Sequence, residues 1–127
     1  MNEQDMIKRT KHFALRIMKL VEALPRTVQG RSIAGQLMRS GTSVAANYRA
    51  ACRARSKLEF IAKLGTVEEE ADESAFWLEL IFEGGLLNRK LIQPLLVEAN
   101  ELVAITASSK KTASATLARS KIASRKS

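Results

Sequence analysis

The sequence has 127 residues and a formal net charge of +8, with 46% hydrophobic and 27% charged residues. A chain of this length forms one domain. We expect the domain to be soluble, because its apolar stretches are shorter than the roughly 18 to 20 residues that span a membrane. One cysteine and one histidine cannot make an intramolecular disulfide or a structural zinc site. The start of the chain lacks the apolar core of a secretory signal, so we expect a cytoplasmic protein. We also expect that it binds no cofactor and no metal.

The first two predicted helices are separated by a proline. Apolar positions three and four residues apart predict one buried stripe on the first helix: Met6, Thr10, Phe13, Ile17, Leu20 and Leu24. Pro25 disfavours helical geometry in the residue before it, so the first helix ends there. A second helix is predicted from about Arg31 to Arg55.

The third and fourth helices have equally regular patterns. Ser56 is the predicted N-cap of the third helix, with Glu59 completing a capping box, and Gly84-Gly85 ends the helix. Its apolar stripe is Phe60, Leu64, Val67, Ala71, Ala75, Leu78 and Phe82. The fourth helix begins near Asn88 or Gln93, and its stripe is Ile92, Leu95, Ala99, Leu102 and Thr106. Helices of similar length joined by short turns predict an all-α fold, an antiparallel up-and-down four-helix bundle over residues 1–109.

Arginines share one face of the second helix, opposite its apolar face. At 100° per residue this face carries Arg31, Arg39, Arg49 and Arg53. No acid lies between Glu22 and Glu59, so the arginines need counter-charge from nucleic acid or from carboxylates on a protein, unless they are simply solvated. The third helix carries eight acids from Glu59 to Glu83. The sequence leaves open whether these two helices meet within one chain or between subunits.

Most of the excess positive charge follows Ser109. Residues 110–127 contain no acid, few large apolar residues and six cations: Lys110, Lys111, Arg119, Lys121, Arg125 and Lys126. This composition is typical of a disordered or transiently helical segment. We expect this tail either to bind nucleic acid or to keep the protein soluble.

An apolar run near the end of the third helix indicates a protein contact. Phe76, Trp77 and Leu80 lie off the main stripe, and Phe76 and Leu80 lie roughly opposite it. One bundle core cannot bury both faces, so the second face predicts an interface between subunits. Packing within a thick end of the bundle is the alternative.

The reactive residues do not predict an enzyme. Di-iron bundles need a Glu-x-x-His pair on each of two helices, and the chain has one histidine. A dyad of Cys52 and His12 is conceivable, but a small side chain that permits close packing is the better explanation of Cys52.

Residues Gln36 to Ile81 resemble a known protein family. The matching features are the Gln36-Leu37 start, the run from Ser40 to Asn47, and the spacing of Ser56, Phe60, Gly65 and Glu69. The segment is similar to the four-helix-bundle family encoded by intervening sequences within bacterial 23S ribosomal RNA genes, with a weaker likeness from Phe13 to Ile105. Where many members follow the asparagine with a Glu-Gly pair, this chain has Tyr48-Arg49.

The resemblance implies small up-and-down bundles that form ring-shaped homo-oligomers, namely pentamers, with no established catalysis. A related bundle, the accessory variability protein of diversity-generating retroelements, is a basic pentamer that associates with reverse transcriptase and nucleic acid, and offers an analogy. Three matched residues suit helix packing. Gly41 and Gly65 permit close approach of a neighbouring helix, and Asn47 can bridge to a neighbouring helix or a backbone carbonyl.

Together these features predict a non-enzymatic homo-oligomeric bundle that binds nucleic acid, chiefly RNA, through the arginine face and the tail. The alternative is a structural adaptor that docks a protein partner and uses its basic face in subunit contacts.

Overall fold

The computed structural model describes residues 1–126, which form four helices. They are α1 (Glu3–Glu22), α2 (Val28–Cys52), α3 (Lys57–Glu83) and α4 (Arg89–Lys126). Each helix packs against the next, and α1 also contacts α4. The predicted all-α, up-and-down four-helix bundle is therefore confirmed. We call the end that holds the start of α1, the end of α2 and the start of α3 the lower end, and the opposite end the upper end.

The predicted stripes build the core. All six positions of the first predicted stripe are buried, with Leu24 lying two residues past the end of α1, and all five stripe positions of α4 are buried as well. In α3 the central five positions are buried, whereas Phe60 and Phe82 at the two ends are half-buried, and Ile81 is fully buried instead. The last turns of α3 are apolar on nearly every side, so periodicity alone did not distinguish Ile81 from Phe82.

Capping side chains set the helix starts. Thr27 accepts a hydrogen bond from the Gly30 amide at 3.0 Å, so α2 begins at Val28. The helix ends at Cys52, and both of its bounds lie about three residues before the predicted ones. Ser56 accepts from the Glu59 amide at 3.1 Å, as predicted. The Glu59 carboxylate accepts from the Arg55 amide at 3.4 Å, so the second bond of the predicted capping box reaches one residue further back. Gly85, at φ 65°, turns the chain after α3.

Helices α1 and α2 are in close contact at Gly41. A Cβ atom at this position would lie 2.8 Å from Cγ2 of Ile17, a fully buried side chain. The missing side chain thus allows the two backbones to come together, which is the contact expected at Gly41.

The tail differs from its predicted form. Helix α4 runs through the boundary expected after Ser109 and continues to Lys126, while Ser127 lies outside the described residues. Residues 95–127 contain neither proline nor glycine and are rich in alanine, so nothing in the sequence breaks the helix. Ala113 is buried, and Lys110 lies 2.7 Å from Glu68 of α3. From Ala118 to Lys126 every residue is exposed, so the end of α4 projects beyond the bundle as a basic helix.

Candidate nucleic-acid interface

The α2 arginines do not form one unpaired surface, because Arg39 is already paired within the chain. Its guanidinium contacts Glu70 at 3.1 Å and also Glu73, both on α3. The hydrogen bond to Glu73 is the main cause that raises the pKa of Arg39. The contact between α2 and α3 left open by the sequence is therefore made inside one bundle at Arg39, and its charge is neutralised there.

Arg49 and Arg53 lie at the lower end of α2 and border a groove against α1. The groove has a volume of about 530 Å³, and Lys11 of α1 completes its cationic lining. Apolar and small residues form the remaining walls: Ile7, Ala45, Ala46 and Cys52. No carboxylate among the described residues lines this groove, and neither arginine forms an ion pair within residues 1–126. This lower groove can therefore accept an anion.

Arg31 lies apart from these residues. The rise of about 1.5 Å per residue separates it by about 27 Å from Arg49 along α2. It is exposed near the upper end and has no ion pair within residues 1–126. The structure thus divides the predicted stripe into an upper residue, a neutralised middle residue and a lower pair.

The basic end of α4 leaves the bundle at the same end as Arg49 and Arg53. Phe60 borders one cavity with Cys52 and another with Thr112 and Thr116, which places this part of α4 beside the end of α2. Lys110 is occupied by Glu68. The five following cations are exposed and make no ion pair within residues 1–126: Lys111, Arg119, Lys121, Arg125 and Lys126. Unpaired cations from α1, α2 and α4 therefore concentrate at the lower end.

The apolar face of α3 is open to solvent. Phe76 is 49% exposed and Leu80 38% exposed, while Trp77 is half-buried. The Trp77 indole N–H donates to Glu73 at 3.2 Å, and its ring meets the Phe76 ring edge to face at 5.1 Å between centroids. Trp77 therefore packs against Phe76, and Phe76 and Leu80 are the side chains available to a partner.

Two of the expected packing residues have different surroundings from Gly41. A Cβ atom at Gly65 would have no neighbour within 4 Å, so the close helix contact expected there is absent within the described chain. Asn47 donates from its side-chain amide to the Ser43 carbonyl at 2.9 Å, so of the two expected partners it binds a backbone carbonyl, within α2. At Gly65 the spacing between helices, which the sequence does not give, decides the contact.

Cys52 and His12, the residues of the conceivable dyad, lie on different helices. Burial, followed by the contact with Glu3, raises the pKa of Cys52 to about 11, so the thiol stays protonated at neutral pH. His12 is exposed on α1. Residues 1–126 hold no cluster of three or more His, Cys, Asp or Glu side chains placed to bind a metal ion.

No helix in this part of the chain is long and apolar enough to cross a membrane.

Two contributions of α1 were missed by sequence reasoning. Lys11 joins Arg49 and Arg53 across the lower groove. Arg9 forms a fork with Glu98 of α4, at 2.6 and 2.7 Å, and reaches Glu101 as well. The sequence carried no signal for either contact, since charged residues on α1 have no periodic relation to their partners on α2 and α4.

Comparisons with known proteins identify similar chains. A family profile described as "23S rRNA-intervening sequence protein" matches residues 2–108. A solved structure of a protein with unknown function from the S23 ribosomal protein family of Bacteroides thetaiotaomicron is 31% identical. It aligns with a TM-score of 0.75 over 84% of this chain and 98% of that chain. A search of curated proteins gave no match.

Proposed function

Because this chain belongs to the family of 23S rRNA-intervening sequence proteins, we propose that it is a non-enzymatic, cytoplasmic homo-oligomer that binds RNA. The binding surface in this proposal is the lower end of the bundle. It consists of the lower groove, with Lys11, Arg49 and Arg53, together with the projecting basic end of α4. The assembly is a pentamer, as the family resemblance implies.

One observation carries the proposal: three cations of the lower groove and five of α4 lie at the same end of the bundle without an ion-pair partner in residues 1–126. Arg39 and Lys110, by contrast, are paired with acids of α3. Arginine guanidinium groups bind phosphate oxygens in a fork, and a groove lined by three cations concentrates an anionic chain. The end of α4 adds cations without a single acid after Glu101. It has no aromatic residue to stack on bases, so this surface favours the RNA backbone over a particular sequence.

A salt titration of RNA binding tests this proposal. Fluorescence anisotropy with a labelled, unstructured RNA should give an affinity that falls steeply with salt, because each phosphate contact releases counterions. Arg49→Glu with Arg53→Glu should abolish binding and leave the helical content and the assembly unchanged.

The matched control reverses the same amount of charge at the upper end. Arg26→Glu with Arg31→Glu alters two exposed arginines outside the lower groove, and this variant should keep most of the affinity. An equal loss in both variants would mean that net charge alone drives binding, and would contradict the assignment to the lower end.

The exposed side chains of Phe76 and Leu80 favour a second candidate, a structural adaptor that docks a protein partner. In that case the wild-type protein would assemble but would show no salt-dependent binding to RNA. The same anisotropy titration therefore separates the two functions.

A further inference from the structure

The seam between α1 and α4 is closed below and open above. Arg9 links the helices through Glu98 and Glu101. Toward the upper end the two helices border a groove of about 610 Å³. Its walls are apolar and its rim is charged: Leu20, Ala23, Leu91, Pro94 and Leu95 form the walls, and Arg16, Lys19, Glu22 and Lys90 the rim. Leu91 is 55% exposed within it. We call this site the upper groove.

The apolar face of α3 lies at the same height as the upper groove. Phe76 and Leu80 belong to the last two turns of α3, beside the upper end, where α4 begins after the Gly84-Gly85 turn. The exposed acids Glu79 and Glu83 flank them. Helix α3 has no cation after Lys63, so the acids beside Phe76 and Leu80 have no cationic partner on their own helix. Arg89 of α4 lies nearby, over the Phe82 ring at 4.8 Å from its centroid. We call Phe76, Leu80 and these flanking acids the α3 patch.

We infer that the α3 patch of one copy docks into the upper groove of a second copy. The two surfaces are complementary in both chemistry and charge. Phe76 and Leu80 project from a convex helix face, and the groove offers a concave apolar surface of a volume that suits large side chains. Three cations and one acid on the groove rim face the acids of the patch, which favours this orientation and opposes docking of two patches against each other.

The positions of the two surfaces restrict the kind of assembly. The patch lies on α3, which contacts α2 and α4 but not α1, while the groove lies between α1 and α4. The contact therefore joins two different surfaces, and a contact of this type generates a ring when its rotation closes and a helical filament when it does not. Since both surfaces lie at the upper end, this contact is compatible with copies that stand side by side, which is the arrangement of the ring that the family resemblance implies.

This inference rests on the homo-oligomer included in the proposed function, and it names the surface that receives the α3 patch. The test uses two variants with complementary defects. Leu91→Glu places a charge in the groove, and Phe76→Glu with Leu80→Glu removes the patch. We expect each variant alone to be a monomer of 14.0 kDa by light scattering at micromolar concentration. Mixed together they should form a 1:1 dimer of about 28 kDa that grows no further, because only one intact patch and one intact groove remain to meet.

Val97→Glu is the matched control, because Val97 is also on α4 and is 52% exposed but does not line the groove. This variant should assemble as the wild type does. Circular dichroism checks that every variant keeps its helices. We expect Leu91→Glu to keep them because Leu91 is exposed.

The outcomes separate the two ideas. A Leu91→Glu variant that assembles like the wild type would overturn the docking into the groove. The homo-oligomer of the proposed function would remain supported. A mixture that stays monomeric would also overturn the docking. A monomeric wild type would overturn the oligomer of the proposed function and this contact with it.

Discussion

Gly41 leaves no room for a side chain, because Ile17 of α1 already occupies the space. Replacement by leucine gains about 1 kcal/mol in helix propensity but forces a fully buried, β-branched neighbour to move. We expect the overpacking to dominate, so Gly41→Leu should lower the free energy of unfolding by about 1 to 3 kcal/mol. Urea denaturation followed by circular dichroism measures this change.

Gly35 provides the control on the same helix, since a Cβ atom there would meet nothing within 4 Å. Gly35→Leu should leave stability unchanged or raise it by up to about 1 kcal/mol, through helix propensity alone. Equal effects at the two glycines would contradict the close approach of α1 and α2.

The ion pair between Arg9 and Glu98 should make stability depend on pH. The Arg9 guanidinium holds the pKa of Glu98 below its ordinary value of 4.5, mainly through their hydrogen bonds. A carboxyl group with a lower pKa in the folded state stabilises the fold above its ordinary pKa, and this contribution disappears as the pH falls through the folded-state value. Arg9→Met should therefore destabilise the protein by about 1 to 3 kcal/mol at neutral pH and by less in acid.

Thermal or urea denaturation between about pH 7 and pH 3 measures this difference. Lys8→Met is the control, because Lys8 is exposed and has no ion pair within residues 1–126. A constant difference between Arg9→Met and the wild type across this range would mean that the pair does not lower the pKa of Glu98.

At this scale the sequence predicts burial better than charge pairing. The six-residue stripe from Met6 to Leu24 is buried in full, because burial follows the helical period that a single sequence displays. Arg39 and Arg49 share one face of α2, yet one is neutralised and the other is not. That difference depends on which turn of α3 lies opposite, and helix register is set by packing across the bundle.

Among the elements, α4 combines a packed segment and a projecting one. Truncation after Leu117 removes Arg119, Lys121, Arg125 and Lys126, none of them buried. The melting temperature should not change, whereas the slope of log affinity for RNA against log salt should flatten by up to about 3 units, at about 0.7 to 0.9 for each lost phosphate contact.

Truncation after Ser109 should act differently, since it also removes Lys110 and the buried Ala113. We expect this shorter chain to melt at a lower temperature as well as to bind RNA less steeply. If the two truncations had the same melting temperature, the segment from Lys110 to Leu117 would not be packed against α3.

The elements themselves could be predicted, and their ends less well. Periodicity located all four helices, and Ser56, Pro25 and the glycine pair after α3 marked their limits. The start of α2 was missed because Thr27 caps a turn that contains only one large apolar residue before Arg31. The helix after Ser109 was missed because its high net charge and low hydrophobicity indicated disorder, and the helix-forming alanines were given less weight. Ala113 is nevertheless buried.

At the scale of the whole molecule, assembly should multiply the affinity for RNA. Each copy in the proposed ring contributes its own lower groove and its own end of α4, so a long RNA can bind several copies at once. The monomeric variant Phe76→Glu with Leu80→Glu should bind long RNA about 100-fold or more weakly than the wild type. For an oligonucleotide too short to reach two copies, both proteins should bind equally.

Anisotropy titrations with the two RNA lengths, at one salt concentration, give this comparison. Equal losses for short and long RNA would place Phe76 or Leu80 in the RNA contact itself. Equal affinity of the two proteins for long RNA would show that a single copy binds independently of its neighbours.

The projecting end of α4 also decides which charges an approaching RNA senses. Residues 1–109 hold 15 basic and 13 acidic residues, so the field of the bundle nearly cancels at a distance. Lys126 lies about 13 Å beyond Leu117 along the helix, whereas charges in physiological salt are screened over about 8 Å. A phosphate at the tip therefore senses the cations of α4 without repulsion from the acids of α3. The tip would capture RNA before the bundle does, and each captured strand would then have one direction in which to move, back along α4 toward Arg53.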